Sequence, residues 1–232
     1  MKPARVVFLL DVDNTLLDND RIVADLKTHL TASFGVERQE NYWKIFESLR
    51  DELGYADYLG ALQRCRIESP HDADYGEVSQ FLLEYPFAAR LFPLALEVID
   101  HLKQWGSVAI LSDGDVVFQP HKVRCAGLQR AVAGRVLIYI HKEHELRFVE
   151  AAFPAEHYVL IDDKLRILAA VKASWGARLT TVFPRQGHYA ADPENLKQYP
   201  PADLTVARIG DLLGCDLSDL LPRDGAPPRT LT

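Results

Sequence analysis

Residues 6 to 18 are Val6-Val7-Phe8-Leu9-Leu10-Asp11-Val12-Asp13-Asn14-Thr15-Leu16-Leu17-Asp18. Five apolar residues run unbroken into two carboxylates, with a threonine just behind. A short apolar run without alternation predicts a strand buried on both faces of a parallel sheet. The carboxyl edge of such a sheet is where open α/β folds bind ligands. Two charges beside a buried strand are costly unless a cation or a reaction uses them. Asp11 and Asp13 therefore mark a candidate site, where placement conflicts with the local rule.

Three further apolar runs end in polar groups. Val108-Ala-Ile-Leu leads into Ser112, Val136 to Ile140 is followed by Lys142, and Tyr158 to Ile161 leads into Asp162 and Asp163. A fifth strand is expected over 178–183. Helical stripes alternate with these runs: Leu94, Val98, Leu102 and Trp105, then residues 144–152, then Leu168, Val171 and Trp175. Asp115 is placed to cap a helix in which Pro120 sits early. Alternation of this kind means right-handed crossovers and a Rossmann-like α/β core with a parallel sheet.

Residues 18–90 break the alternation. They contain no β-branched run and show four helical stripes: Ile22, Leu26 and Leu30; Tyr42, Phe46, Leu49 and Leu53; Tyr55, Leu59 and Leu62; Val78, Phe81, Leu82 and Tyr85. Gly54 and the segment Ser69-Pro70-His71-Asp72 punctuate them. Four helices between two strands are an insert, not an ordinary crossover. The expected organisation is a core over 1–17 and 91–215, a separately packed insert over 18–90, and a mobile C-terminal tail over 216–232.

The bulk properties narrow the classes of function. The 232 residues suffice for a sizeable core. A net charge of -7 argues against a nucleic-acid partner, which calls for a basic face. No segment is long and apolar enough for a membrane span, and the N-terminal apolar run stops at Asp11 without a cleavage site. Cys65, Cys125 and Cys215 show neither paired nor metal-type spacing, which fits a cytoplasmic location. Nothing in the sequence sets an oligomeric state.

The segment Asp11-Val-Asp13-Asn-Thr15, followed in order by Ser112, Lys142 and Asp162-Asp163, resembles the signatures of the haloacid dehalogenase-like (HAD) hydrolase superfamily. The resemblance spans roughly residues 5 to 185. It implies a helical cap over 18–90, a magnesium (Mg2+) cofactor and a small phosphorylated metabolite as substrate. By the same resemblance Asp11 is the nucleophile and Asp13 the general acid and base. Ser112 and Lys142 hold the phosphoryl group. Asp11, the backbone carbonyl of Asp13 and Asp162 match the metal ligands, and Asp163 matches a position that ligates the metal in some members and only supports the ligands in others. One departure stands out: Glu143 and His144 follow Lys142 where the family usually has proline.

Each residue type also has a structural use. Ser112 can open the turn at Asp113-Gly114, Lys142 can be solvated, and Asp162 or Asp163 can cap the helix from Lys164. His141 and His144 fit a surface loop better than a metal site, and Trp43, Tyr42 and Tyr58 fit helix packing. A phosphomutase shares the two carboxylates of a phosphatase. A dehalogenase needs neither the second carboxylate nor magnesium, and a phospho-acceptor module would not carry the insert.

Overall fold

The computed structural model describes residues 4–70 and 75–221. The apolar run forms β1 (Ala4–Leu10), at the middle of a six-stranded parallel sheet. The other strands are β2 (Ser107–Asp113), β3 (Val136–Tyr139), β4 (Ala155–Ile161), β5 (Leu179–Pro184) and β6 (Leu204–Val206), in the order β3-β2-β1-β4-β5-β6. Leu9 stands in register with Ala109 on one side and Leu160 on the other. Strand order reverses between β1 and β4, so their carboxyl ends border the crevice where such sheets bind ligands.

Burial on both faces explains the unbroken run. Val6, Phe8 and Leu10 point into one apolar cluster, Val7 and Leu9 into the other, and each is at most 2% exposed. Full burial of such a side chain contributes about 1.5–3 kcal/mol.

Helices α1 (Asn19–Phe34), α2 (Val36–Leu53), α3 (Tyr58–Glu68) and α4 (Tyr75–Leu83) make up the insert between β1 and β2. Asp18 caps α1 by accepting from the Arg21 N–H at 2.9 Å, and Gly54 ends α2 in the left-handed conformation. The third stripe differs from expectation. Asp57 accepts from the Gly60 N–H at 2.7 Å and starts α3 after Tyr55, so the buried face is Tyr58, Ala61, Leu62 and Cys65. The expected turn at 69–72 falls partly on residues 71–72, outside the described residues.

The insert meets the core through apolar contacts. Its apolar residues share one cluster with the β1 face. A chain of ring contacts joins Phe46, Tyr58, Phe118 and Phe87, crossing from the insert to the core.

The remaining helices flank the sheet: α5 (Ala95–Leu102), α6 (Phe118–Cys125), α7 (Leu128–Ala131), α8 (Leu146–Ala152), α9 (Leu165–Trp175), α10 (Gly187–Ala191) and α11 (Pro193–Gln198). Asp115, the expected cap of α6, accepts from the Val117 and Phe118 N–H groups, while the N-cap position itself is Val117. Trp105 lies past the end of α5 and is half-exposed instead of buried. Strand β6 was not expected, since three residues at a sheet edge carry no periodic signal. The first residues of the expected tail are ordered: Asp216 caps a short 3-10 helix over Leu217–Leu220, and Leu217 is fully buried. The rest of that tail, 222–232, lies outside the described residues.

Candidate active site

The sheet brings the predicted residues together. Asp11 follows β1, and its N–H donates to the Ile161 carbonyl at 3.0 Å, so the β1–β4 pairing continues into the site. The loop then turns sharply. Asn14 takes a left-handed φ of 59°, and its N–H donates to Leu17 O at 2.7 Å. Thr15, fully buried, accepts from the Asp163 N–H at 3.0 Å. The threonine of the first motif thus fixes the acidic end of β4.

Lys142 is buried completely, at the start of a 3-10 helix over Lys142–His144. Its ammonium donates to Asp11 Oδ1 at 2.5 Å and to Leu111 O at 3.2 Å. It also stands 2.7 Å from Asp162 Oδ2. Burial disfavours the charged amine, but Asp11 and Asp162 outweigh it and hold the ammonium well above its ordinary range. Asp113 Oδ1 accepts from the Lys142 N–H at 2.9 Å, and buried Glu143 pairs with Arg166 at 2.5 Å. These two anchors hold the loop where the family usually has proline.

Ser112 lies in β2, buried, and accepts from Gln119 Nε2 at 3.0 Å. Gln119 also reaches Asp13 Oδ2 at 3.4 Å. Lys122, itself 1% exposed, clamps Asp13 with bonds of 2.8 and 2.9 Å to its two oxygens, and donates to Asn19 Oδ1 at 3.1 Å. Asp13 therefore sits apart from the other carboxylates, at the mouth of the site.

Gln119, Lys122 and Asp113 join the site without having stood out in the sequence. Gln119 and Lys122 stand three residues apart on one face of α6, an ordinary polar spacing. Only the turn that brings α6 back over the first loop shows that this face is buried.

Asp11, Asp162 and Asp163 form a buried group whose ligand oxygens lie within 4.8 Å of one another. Burial pushes the Asp162 carboxyl up to about 6 against the pull of Lys142, and the Asp11 charge adds to the rise. Asp163 is raised well above the carboxylate range, first by burial and then by its acidic neighbours, with Lys164 opposing. Asp11 Oδ2 and both Asp163 oxygens have no hydrogen-bond partner. Buried carboxylate oxygens without donors are costly. A hard divalent cation, which takes oxygen ligands, fits this donor set.

A cleft of about 680 Å3 opens between the insert and the sheet edge. Asp13 and Lys122 line it from the core, and Trp43, Phe46 and Tyr58 from the insert. Tyr42 is a packing residue, donating to Tyr58 O at 2.9 Å. His141 and His144 have rings 5.4 Å apart, and the only metal-type group among the described residues is the aspartate cluster.

No protein-family model matches the chain, and no curated protein matches it. Solved structures do. A haloacid dehalogenase-like hydrolase from Burkholderia xenovorans LB400 is 59% identical, with 95% of this chain and 100% of that one covered and a TM-score of 0.90. The HAD hydrolase YfnB from Bacillus subtilis, bound to magnesium, is 18% identical over 92% and 98% of the two chains, with a TM-score of 0.59. The L-2-haloacid dehalogenase of Xanthobacter autotrophicus is also 18% identical, over 89% and 96%, with a TM-score of 0.58. The last two show the fold alone. Identity of 59% along nearly the whole chain, on this sheet and with these strand-end residues, places the protein in the haloacid dehalogenase-like hydrolase family.

Proposed function

We propose that this hydrolase is a magnesium-dependent phosphatase of a small phosphorylated metabolite. The observation that carries the proposal is the division of the carboxylates. Three are buried together around oxygens that lack donors, and a fourth, Asp13, is held separately at the cleft by Lys122. Carbon–halogen hydrolysis needs no such second carboxylate; phosphoryl transfer to and from an aspartate uses one as acid and base.

Asp11, Asp162 and Asp163 would hold the cation. Asp13 would take part only through its backbone carbonyl, since Lys122 occupies both side-chain oxygens. Magnesium, when bound, supplies charge neutralisation between these carboxylates and a phosphate dianion.

The chain's own groups do the rest. Lys142 fixes Asp11 through Oδ1, and the Asp11 carboxylate attacks phosphorus through the oxygen that the cation would leave free. The P–O ester bond breaks, and the leaving oxygen takes a proton from Asp13, which must carry it on one oxygen while Lys122 keeps the other. Ser112 and Lys142 donate to the phosphoryl oxygens, where charge is spread in the transition state. Asp13 then takes a proton from water as it attacks phosphorus. The bond to Asp11 breaks, releasing inorganic phosphate and the free carboxylate. The insert closes the cleft and selects the leaving group. Three cysteines without disulfides fit a reducing, cytoplasmic setting.

The test measures phosphate release from 4-nitrophenyl phosphate and halide release from 2-chloropropionate, with magnesium and with EDTA. Magnesium-dependent phosphate release is expected. Halide release alone, or full phosphate release in chelator, overturns the proposal.

A further inference from the structure

The phosphoryl end of the cleft is set by the residues at the sheet edge. The other end is shaped by what surrounds Asp13, where the leaving oxygen would take its proton. A row of aromatic rings starts there. Lys122, which holds Asp13, has its ammonium 5.7 Å from the centroid of Phe118. Phe118 lies 5.6 Å from Tyr58, Tyr58 4.8 Å from Phe46, and Phe46 5.1 Å from Trp43, centroid to centroid. All four rings line the cleft, and so does Tyr55. The row runs from α6 of the core through α3 to α2 of the insert. Phe118, Tyr58 and Phe46 are buried, while Trp43 and Tyr55 are half-buried and leave ring surface to the cleft.

The polar groups along this wall are already engaged. Lys122 donates to both Asp13 oxygens and to Asn19, and the Asn19 side chain also meets the Tyr58 hydroxyl. Arg50 pairs with Glu47, and Lys27 stands over the Trp43 ring at 5.0 Å, at the outer end of the row. Val23 and Ala56 add apolar surface. A leaving group rich in hydroxyls would meet few free partners here and would give up its bonds to water without replacement. A flat apolar ring gives up none, and it can meet other rings in the edge-to-face and offset geometries that aromatic pairs favour.

The cleft also has the room. Its volume of about 680 Å3 falls within the roughly 300–1,000 Å3 of pockets that enclose a drug-sized ligand. A short alkyl leaving group would leave most of the insert wall facing water.

We propose that the substrate is a phosphomonoester whose leaving group carries an aromatic ring, lodged against Trp43 and Tyr55 on the insert wall. The inference rests on the phosphatase function proposed above and narrows its substrate class. Trp43 and Tyr55 are then specificity-determining residues, and the buried rings beneath Trp43 hold it in place.

Binding of inert phosphonates tests this without turnover. The probes are methylphosphonate, benzylphosphonate, cyclohexylmethylphosphonate and 3,4-dihydroxybutylphosphonate, titrated calorimetrically into the whole protein with magnesium present. Benzylphosphonate is expected to bind about tenfold tighter than methylphosphonate or better, as burial of one ring should give. It should also bind about threefold tighter than its cyclohexyl counterpart, the part that belongs to ring–ring geometry. In Trp43→Ala the benzyl advantage over methyl should fall to within about threefold, and Trp43→Phe should restore most of it. Tyr55→Ala should lower the advantage too, and it serves if Trp43→Ala does not fold, which a thermal melt decides. Equal affinity for benzyl and methyl, tightest binding of the dihydroxybutyl probe, or a cyclohexylmethyl probe as tight as the benzyl one overturns the inference and leaves the phosphatase function standing. So does a benzyl advantage that survives intact in the folded variants. If no phosphonate binds, the phosphatase function fails and takes the inference with it.

Discussion

At the scale of single residues, the site divides labour among four aspartates that share one side-chain chemistry. Asp11 is held by Lys142 at one oxygen and free at the other. Replacing it with asparagine keeps the shape but removes the proposed nucleophile. Asp11→Asn should lose turnover by about a thousandfold or more while the protein still melts cooperatively. Phosphate release beside a melt checks this, and near-normal turnover would remove Asp11 from its role. Asp13 is clamped by Lys122 and lines the cleft, where the proposed reaction would release its leaving group. An alkyl phosphate expels a basic alkoxide that needs a proton; a nitrophenyl phosphate expels a stable phenolate that needs it far less. Asp13→Asn should therefore slow single-turnover phosphorylation of Asp11 by about a hundred- to ten-thousand-fold for the alkyl substrate and much less for the aryl one. Single-turnover measurement is required because the proposed mechanism also uses Asp13 in the second step. Equal losses would mean that Asp13 serves only the loop or the metal.

At the scale of elements, the joint between the insert and the core is the sensitive place. Gly54 ends α2 with φ of 80°, and a Cβ there would lie 2.6 Å from His141 Nε2 in the loop after β3. Gly54→Ala combines backbone strain, about 1–3 kcal/mol, with a clash against the core loop. It should lower stability in urea by more than the backbone part alone. In a His141→Ala background the clash is gone and only the backbone part should remain. If both backgrounds lose the same amount, the side-chain contact contributes nothing. The insert's apolar cluster is continuous with the β1 face, so damage at this joint should be felt in global unfolding and not as loss of a separate unit.

At the scale of the whole molecule, the sheet interior sets a pH limit on stability. His157 is buried in β4 and pairs with the Thr180 hydroxyl of β5 at 2.9 Å. Burial, with Lys172 adding to it and Asp203 opposing, pushes the imidazole down to about 4 from its ordinary 6.5. Above pH 6.5 neither the folded nor the unfolded chain carries a proton there. Between 6.5 and 4 the unfolded chain takes up the proton and the folded one does not. Stability therefore falls with pH over that window, by up to about 1.4 kcal/mol per pH unit. Denaturant melts between pH 7 and 4 should show this loss, and His157→Gln should show less of it. An identical pH dependence in the variant would assign the acid sensitivity to other groups.

How much was legible in the chain follows from the range of the forces involved. A strand buried on both faces must be apolar at every position, so Val6 to Leu10 announced a central parallel strand, and the polar residues after four such runs announced one edge of one sheet. By itself, the sequence determined the α/β class, the helical insert, and Asp11, Asp13, Ser112, Lys142, Asp162 and Asp163 as candidate site residues. Strand β6 and Leu217 escaped because three-residue strands and single buried side chains leave no period to detect. Lys122 and Gln119 escaped for a deeper reason. A polar residue on a helix reads as solvated, and its burial against a loop more than a hundred residues earlier depends on the path of the whole chain. Only the tertiary structure decided which aspartates share a buried cluster and which one is clamped apart. The energy of a charge is set by its desolvation and by neighbours within a few ångströms, and those neighbours are chosen by the fold.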